Sequence, residues 1–204
     1  MKQLMSIRRS MGLWCATLIA GFCMVPAANA SLVSVIPQTP SANVGGTLSV
    51  DVVASGLRDG SAPSIGTYDF NLQYDASLLS LTDVTFGSGL DVQGLGSLQD
   101  WSVKALGLAN VFELSLDPID DLNQLQADTF RLVTLTFHAD AIGATALTLL
   151  INAFGDAAGN ALTPDIANAA VNVTPVPLPA AVWLLLSGLT TAGFVRRARS
   201  FRNQ

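Results

Sequence analysis

The 204-residue chain sets 15 acidic against 10 basic side chains, for a net charge of −5, and half of it is hydrophobic while only 12% is charged. All the acids lie between Asp51 and Asp165, where only Arg58, Lys104 and Arg131 oppose them, so this section carries −12. Such a surface repels polyanions and excludes nucleic-acid binding. The length accommodates one domain with targeting segments, or two very small domains.

Residues 1–30 read as a signal peptide: MKQLMSIRR is a basic start, SMGLWCATLIAGFCMVP an apolar stretch, and AANA precedes Ser31. Ala28 and Ala30 supply the small-residue pattern of a cleavage site, which places the cut between Ala30 and Ser31. An uncleaved N-terminal anchor is the competing reading, and the short apolar stretch ending in small residues argues for cleavage. Arg8 and Arg9 lack the context of a twin-arginine signal, and Phe22 before Cys23 argues against a lipoprotein. Cys15 and Cys23 leave with the signal, so the mature chain has no disulfide, thiol nucleophile or zinc–thiolate site.

Short alternating runs fill the interval from Ser31 to Thr174. LVSVI comes first. TLSVDVV sets Leu48, Val50 and Val52 against Thr47, Ser49 and Asp51, and GTYDFNLQYD sets Tyr68, Phe70, Leu72 and Tyr74 inward against Asp69, Asn71 and Gln73 outward. Period-two alternation marks strands with one buried face. LLSLTDVTF, WSVKAL, NVFELSL, FRLVTLTFHA, ALTLLI and AAVNVT bring the total to nine. Gly45–Gly46, Asp59–Gly60, Gly87–Gly89, Gly94–Gly96 and Asp156–Gly159 punctuate them. PIDDLNQLQAD, from Pro118 to Asp128, has room for one helical turn. The expected class is an all-β sandwich or barrel.

The stretches VGGTLSVDVVASGL, IGTYDFNLQYDASLLSLTDVTFG and ADTFRLVTLTFHA resemble the cohesin domain over roughly Leu32 to Thr174. The resemblance implies a nine-stranded jelly-roll β-sandwich over residues 31–174, kin to cellulose-binding modules. Cohesins dock dockerin modules and scaffold polysaccharide-degrading enzymes, and cohesin-like domains also occur on surfaces without a cellulosome, so the fold does not dictate the partner. By this resemblance the outward set Asp69, Asn71 and Gln73 lies on a strand of the dockerin face.

The residues themselves offer little chemistry. His138 stands beside Asp140 at a strand end, without a G-x-S-x-G elbow or another nucleophile context. The carboxylates are spread singly over turns and outward strand positions, with no convergent pair for glycoside hydrolysis. Asp117, Asp120 and Asp121, or Asp156, Asn160 and Asp165, offer hard oxygen ligands for calcium, but solvated or left-handed turns explain both groups more simply. Trp101 opens a strand and reads as core or rim rather than a sugar platform. Tyr68 and Tyr74 read as buried, with their hydroxyls partnered at the edge. No enzyme is expected.

Residues 175–204 form the tail. Ala180 to Val195 carries no charge, and at about 1.5 Å per residue it barely spans a hydrocarbon core of about 30 Å. Arg196, Arg197 and Arg199 follow and hold the cytoplasmic side, so a single stop-transfer helix is expected over about 180–195. Pro177 and Pro179 keep the peptide before it extended, a form a protease binds. Val176, Pro177, Leu178, Pro179 and Ala180, the helix and the arginines together resemble the VPLPA variant of the PEP-CTERM sorting tails. That resemblance implies recognition by an exosortase in a bacterium making exopolysaccharide, with transient inner-membrane anchoring and final release to the cell surface. The chain is thus expected to be an exported, exosortase-processed surface or matrix protein binding exopolysaccharide or a surface protein. The alternative is a scaffolding cohesin or carbohydrate-binding module in polysaccharide breakdown.

Overall fold

The computed structural model describes residues 31–57 and 63–177, together with Leu184 and Ser187. The signal segment through Ala30, the sorting residues Leu178, Pro179 and Ala180, and Arg196, Arg197 and Arg199 lie outside the described residues, as does the expected tail helix apart from those two positions. Among the described residues no helix is long and apolar enough to cross a membrane.

Alternation becomes strand wherever the sequence sustains it. The elements are β1 (Leu32–Pro37), β2 (Ser41–Asn43), β3 (Thr47–Ser55), β4 (Ile65–Gln73), β5 (Leu79–Phe86), β6 (Ser97–Ala105), β7 (Leu108–Ser115), α1 (Ile119–Leu125), β8 (Phe130–Ala139), β9 (Gly143–Asp156), β10 (Asp165–Ala167) and β11 (Ala169–Thr174). They form a five-stranded sheet, β10-β1-β3-β8-β5, and a six-stranded sheet, β2-β11-β9-β4-β7-β6.

Among the described residues the strands number eleven, against the nine expected. The additions, β2 and β10, are three residues each, too short to display alternation. Both are parallel additions at sheet edges, defined by backbone pairing to β11 and β1 rather than by side-chain pattern. The expected single helical turn is α1, seven residues long, which begins after Pro118 and buries Leu122.

Between the sheets, Val33, Val35, Leu48, Val50, Val52, Leu135 and Phe137 from one side meet Tyr68, Phe70, Leu72, Val111, Leu147, Leu149 and Val171 from the other. Each such side chain contributes about 1.5–3 kcal/mol when fully removed from water. Gln126, just past α1, closes one end of this core. Its side-chain amide accepts from the Ile65 N–H at 2.6 Å and donates to the Ile65 carbonyl at 2.9 Å and the Gly89 carbonyl at 2.9 Å. It thus imitates a neighbouring strand at the start of β4 and satisfies backbone groups that burial would otherwise orphan. The β6–β7 hairpin turns through Leu106 and Gly107. Gly107 has φ +75°, and a Cβ there would lie 2.3 Å from the Tyr74 carbonyl, so only glycine fits.

Candidate functional site

The outer face of β9-β4-β7-β6 carries an organised polar cluster. Asp69, Asn71 and Gln73 point outward from β4 because Tyr68, Phe70 and Leu72 take the core side. Across the ladder, Asn71 lies opposite Asn110 on β7 and Leu150 on β9, while Asp69 lies opposite Phe112 and Ala153. A bulge in the β4–β9 ladder adds Asn152 to this face.

Four side chains close a ring there. Asn110 Nδ2 donates to Asp69 Oδ1 at 2.7 Å and to Asn71 Oδ1 at 3.1 Å. Asn71 Nδ2 donates to Asn152 Oδ1 at 3.0 Å, and Asn152 Nδ2 returns to Asp69 Oδ1 at 2.9 Å. Asn110 is buried and also donates to the Phe70 carbonyl at 3.2 Å. Around the ring stand Leu98, Leu114 and Leu150, all exposed, and the partly covered Phe112. The second oxygen of Asp69 accepts no hydrogen bond among the described residues and faces outward with the ring.

The expected face is therefore assembled in part. Asp69 and Asn71 are members of the ring, whereas Gln73 sits exposed at its end, between Leu108 and Thr148, outside the network. Asn110 and Asn152 were missed by sequence reasoning. The bulge that delivers Asn152 leaves no trace in the alternation. Asn110 was recoverable, as the polar position two before the alternating Phe112 in NVFEL.

Behind the ring the structure corrects two expectations. Glu113 is not an outward carboxylate: it is buried on the core side of β7. Its Oε2 accepts from the Tyr68 hydroxyl at 2.6 Å, and its Oε1 from Ser97 Oγ at 2.6 Å and Gln99 Nε2 at 3.0 Å. The Tyr68 hydroxyl is accordingly partnered between the sheets, not at the edge, and also donates to the Leu132 carbonyl at 3.2 Å. Burial first, and the Glu113 carboxylate second, hold the Tyr68 hydroxyl protonated far above the ordinary phenol range.

The other candidates assemble no reactive centre. Ser80 and His138 both converge on Asp140, with His138 Nδ1 2.8 Å from Asp140 Oδ1 and Ser80 Oγ donating to Oδ2. The carboxylate stands between serine and histidine, so the imidazole has no hydrogen bond to the serine through which to take its proton. Hydrogen bonds from Ser80 and then His138 hold the Asp140 carboxyl below the usual carboxylate range. Asp156 Oδ1 accepts from the N–H groups of Ala158 at 2.9 Å and Asn160 at 2.8 Å, and Oδ2 from Asn160 Nδ2 at 2.9 Å, so its oxygens are committed to closing their own loop. Asp165 lies away in β10, and Asp120 and Asp121 occupy the first turn of α1, where acids favour the helix. Among the described residues no three His, Cys, Asp or Glu side chains come together to hold a metal. Trp101 is half-exposed on edge strand β6 and is the one exposed aromatic ring among the described residues.

A protein-family model described as "Cohesin domain" matches residues 33–173. A non-cellulosomal cohesin from the hyperthermophilic archaeon Archaeoglobus fulgidus is 22% identical, with a TM-score of 0.55 over 71% of this chain and 91% of that one. The sixth cohesin of scaffoldin B from Acetivibrio cellulolyticus, solved in complex with a dockerin, is 21% identical, with a TM-score of 0.58 over 71% and 99% of the two chains. A cohesin module from a Clostridium perfringens family 33 glycoside hydrolase is 12% identical, with a TM-score of 0.56 over 72% and 99%. At these identities the structures share the fold. No curated protein matches the chain.

Proposed function

The chain belongs to the cohesin domain family, and on that premise we propose that it is a non-catalytic protein-binding module, exported and sorted by its tail to the cell surface, that holds its partner on the outer face of β9-β4-β7-β6. The observation that carries this reading is the closed ring of Asp69, Asn71, Asn110 and Asn152 inside a frame of exposed leucines. Side chains already fixed by one another lose little freedom when a partner arrives, and the leucines supply apolar area around them. The free Asp69 oxygen gives a partner's donor one oriented acceptor.

Dockerin-type modules are the first partner class to test, because a dockerin is what the Acetivibrio cellulolyticus cohesin holds. Exopolysaccharide is the opposing arm, with Trp101 as the one exposed aromatic ring among the described residues. Titration calorimetry of the purified chain against dockerin modules and surface proteins from the same genome, and against the cells' own exopolysaccharide, separates the two. Binding of a protein partner should weaken at least about tenfold on Asp69→Ala with Asn71→Ala, the loss of two central contacts. It should not respond to Ser49→Ala with Thr136→Ala on the opposite face. Glycan binding that ignores both pairs, with no protein bound, overturns the reading.

The sorting part rests on Val176–Ala180 and the following arginines. Val176 and Pro177 leave β11 exposed, accessible to a processing enzyme. Pro177→Ala with Pro179→Ala, or deletion of the exosortase, should leave a longer, membrane-retained form in the producing cells. Unchanged release from both strains sinks this part alone.

A further inference from the structure

We propose that β6 is a homodimerisation edge, at which two copies of this chain pair antiparallel about Ser102. A sheet edge presents unpaired N–H and C=O groups, and proteins usually blunt it by shortness, charge or bulges. Of the four edges here, β2 and β10 are three residues long. The third, β5, shows water Ser80, Thr82, Asp83 and Thr85, and no large apolar side chain stands exposed on it. The fourth, β6, carries Asp100, Lys104 and a bulge at Lys104, but it is nine residues long, with Leu98, Trp101 and Val103 exposed by 53%, 38% and 49%.

The partner is read from the strand itself. Residues 100–104, DWSVK, are self-complementary when reversed about Ser102. That register sets Asp100 opposite Lys104 twice and Trp101 opposite Val103 twice. Opposite charges and aromatic–β-branched pairs are the cross-strand combinations that stabilise antiparallel ladders. Centring on Trp101 or Val103 instead loses both charge pairs. Lys104 is free for this role: it is the extra residue of a bulge, with no β7 residue opposite it, and among the described residues neither it nor Asp100 makes an ion pair. Ser102, half-buried at the centre of this stretch, lies on the two-fold axis.

The contact joins two six-stranded sheets into one twelve-stranded surface. Because odd positions pair with odd and even with even, both Asp69–Asn110 rings lie on the same side of it. A partner carrying two recognition segments then gains effective concentration at the second site. The acidic surfaces oppose the approach at long range. The dimer therefore belongs to ionic strengths near physiological, where charges more than about 8 Å apart are screened.

The test uses the full chain, purified in mild detergent, with Cys15→Ala and Cys23→Ala. Residues facing each other across an antiparallel pair have Cα atoms about 4.5–5.5 Å apart, within disulfide reach. Ser102→Cys should therefore give a covalent dimer under mild oxidation, whereas Thr85→Cys on β5 should not. In sedimentation equilibrium, Asp100→Lys or Lys104→Asp alone should weaken self-association about tenfold or more, since each turns two attractions into repulsions. The double exchange should restore it. A chain that does not self-associate, equal cross-linking at both cysteine positions, or a double exchange as weak as the single ones overturns the proposal.

Discussion

The two outer faces of the sandwich are made by the same alternation and end up chemically unlike. On the five-stranded sheet the outward rows run Asp51–Thr134–Thr85, Ser49–Thr136–Asp83 and Thr47–His138–Ser80, mostly small hydroxyls held close to the backbone. There Thr134 donates to Asp51 at 2.5 Å and Thr82 to the Thr136 carbonyl at 2.9 Å, so the polar groups answer one another or the main chain. On the six-stranded sheet the rows run Leu150–Asn71–Asn110–Ser102 and Ala153–Asp69–Phe112–Asp100, longer amides among large apolar side chains. Short hydroxyls make a closed, hydrated surface. Amides locked to one another beside exposed leucines make a surface that still has apolar area to bury. The difference lies wholly in the outward half of each strand, where folding exerts little constraint.

The largest effect expected comes from behind the amide face. Glu113 is buried and receives three hydrogen bonds, from Tyr68, Ser97 and Gln99. Glu113→Ala leaves a cavity and takes the carboxylate partner from the buried Tyr68 hydroxyl, two mechanisms that together cost about 2–5 kcal/mol. Asp51→Ala on the hydroxyl face removes a half-buried acceptor of Thr134 and Gln38 and should cost less, about 1 kcal/mol. Urea unfolding at pH 7 checks the pair. Equal losses would mean that the two sheets are buttressed alike.

Next in size is the hairpin that holds β6 beside the amide face. Gly107→Ala must place a Cβ at positive φ and against the Tyr74 carbonyl, at a cost of about 1–3 kcal/mol. The same substitution at Gly94, also at positive φ but with open space around it, should cost about 1 kcal/mol. Hydrogen exchange should then show faster opening of β6 and β7 amides in the Gly107 variant, with β3 and β8 protected as before. Uniform loss of protection would show that the sheets open together.

These contrasts also mark how far the sequence could be read. The core faces of β3 and β4 were legible because Leu48, Val50, Val52 and Tyr68, Phe70, Leu72 alternate without interruption over a full strand. Asp69 and Asn71 followed from the same period. Asn152 did not, because a single bulge between Asp69 and Phe70 in the β4–β9 register shifts one partner strand by a residue. Glu113 was misread for a related reason. In β7, Phe112 and Leu114 face outward while Glu113 faces the core, so the apolar pattern points the wrong way. Donors from Tyr68, Ser97 and Gln99 make a buried carboxylate tolerable there, and no local pattern announces that grouping. The short parallel strands β2 and β10, and the strand-like amide of Gln126, arise from backbone groups seeking partners across the fold, which side-chain periodicity does not encode.

Among the amide-face residues, Asn110→Ala should separate stability from recognition. It removes both donations that tie β7 to Asp69 and Asn71, at roughly 1 kcal/mol of stability, yet it unlocks the arrangement a partner meets. Affinity for a protein partner should fall further than stability does, by about tenfold or more. Asn110→Asp keeps the shape but crowds an acid against Asp69, and should weaken binding more. Partner affinity unchanged in both variants would assign recognition to the leucine frame alone.

The smallest effect belongs to the hydroxyl face and appears only in acid. Asp140, just past β8, has its carboxyl held below the usual range by Ser80 and then His138. A carboxylate whose folded pKa is depressed adds stability that is complete above its unfolded pKa, near about 3.9. That stability is lost as pH falls through the lower folded value. The slope of melting temperature against pH should therefore steepen below about pH 4. In Asp140→Asn it should be shallower there, because no proton is taken up at that position on unfolding or folding. Above about pH 5 the Asp140 carboxyl takes up no proton in either state, so the offset there reports what the amide loses in its contacts with Ser80 and His138. Asp75 and Asp156, whose carboxyls are also held low, keep some acid sensitivity in the variant, so its curve flattens without becoming level. Curves that stay parallel down to pH 2 would mean that Asp140 is held no differently in the folded chain than in the unfolded one.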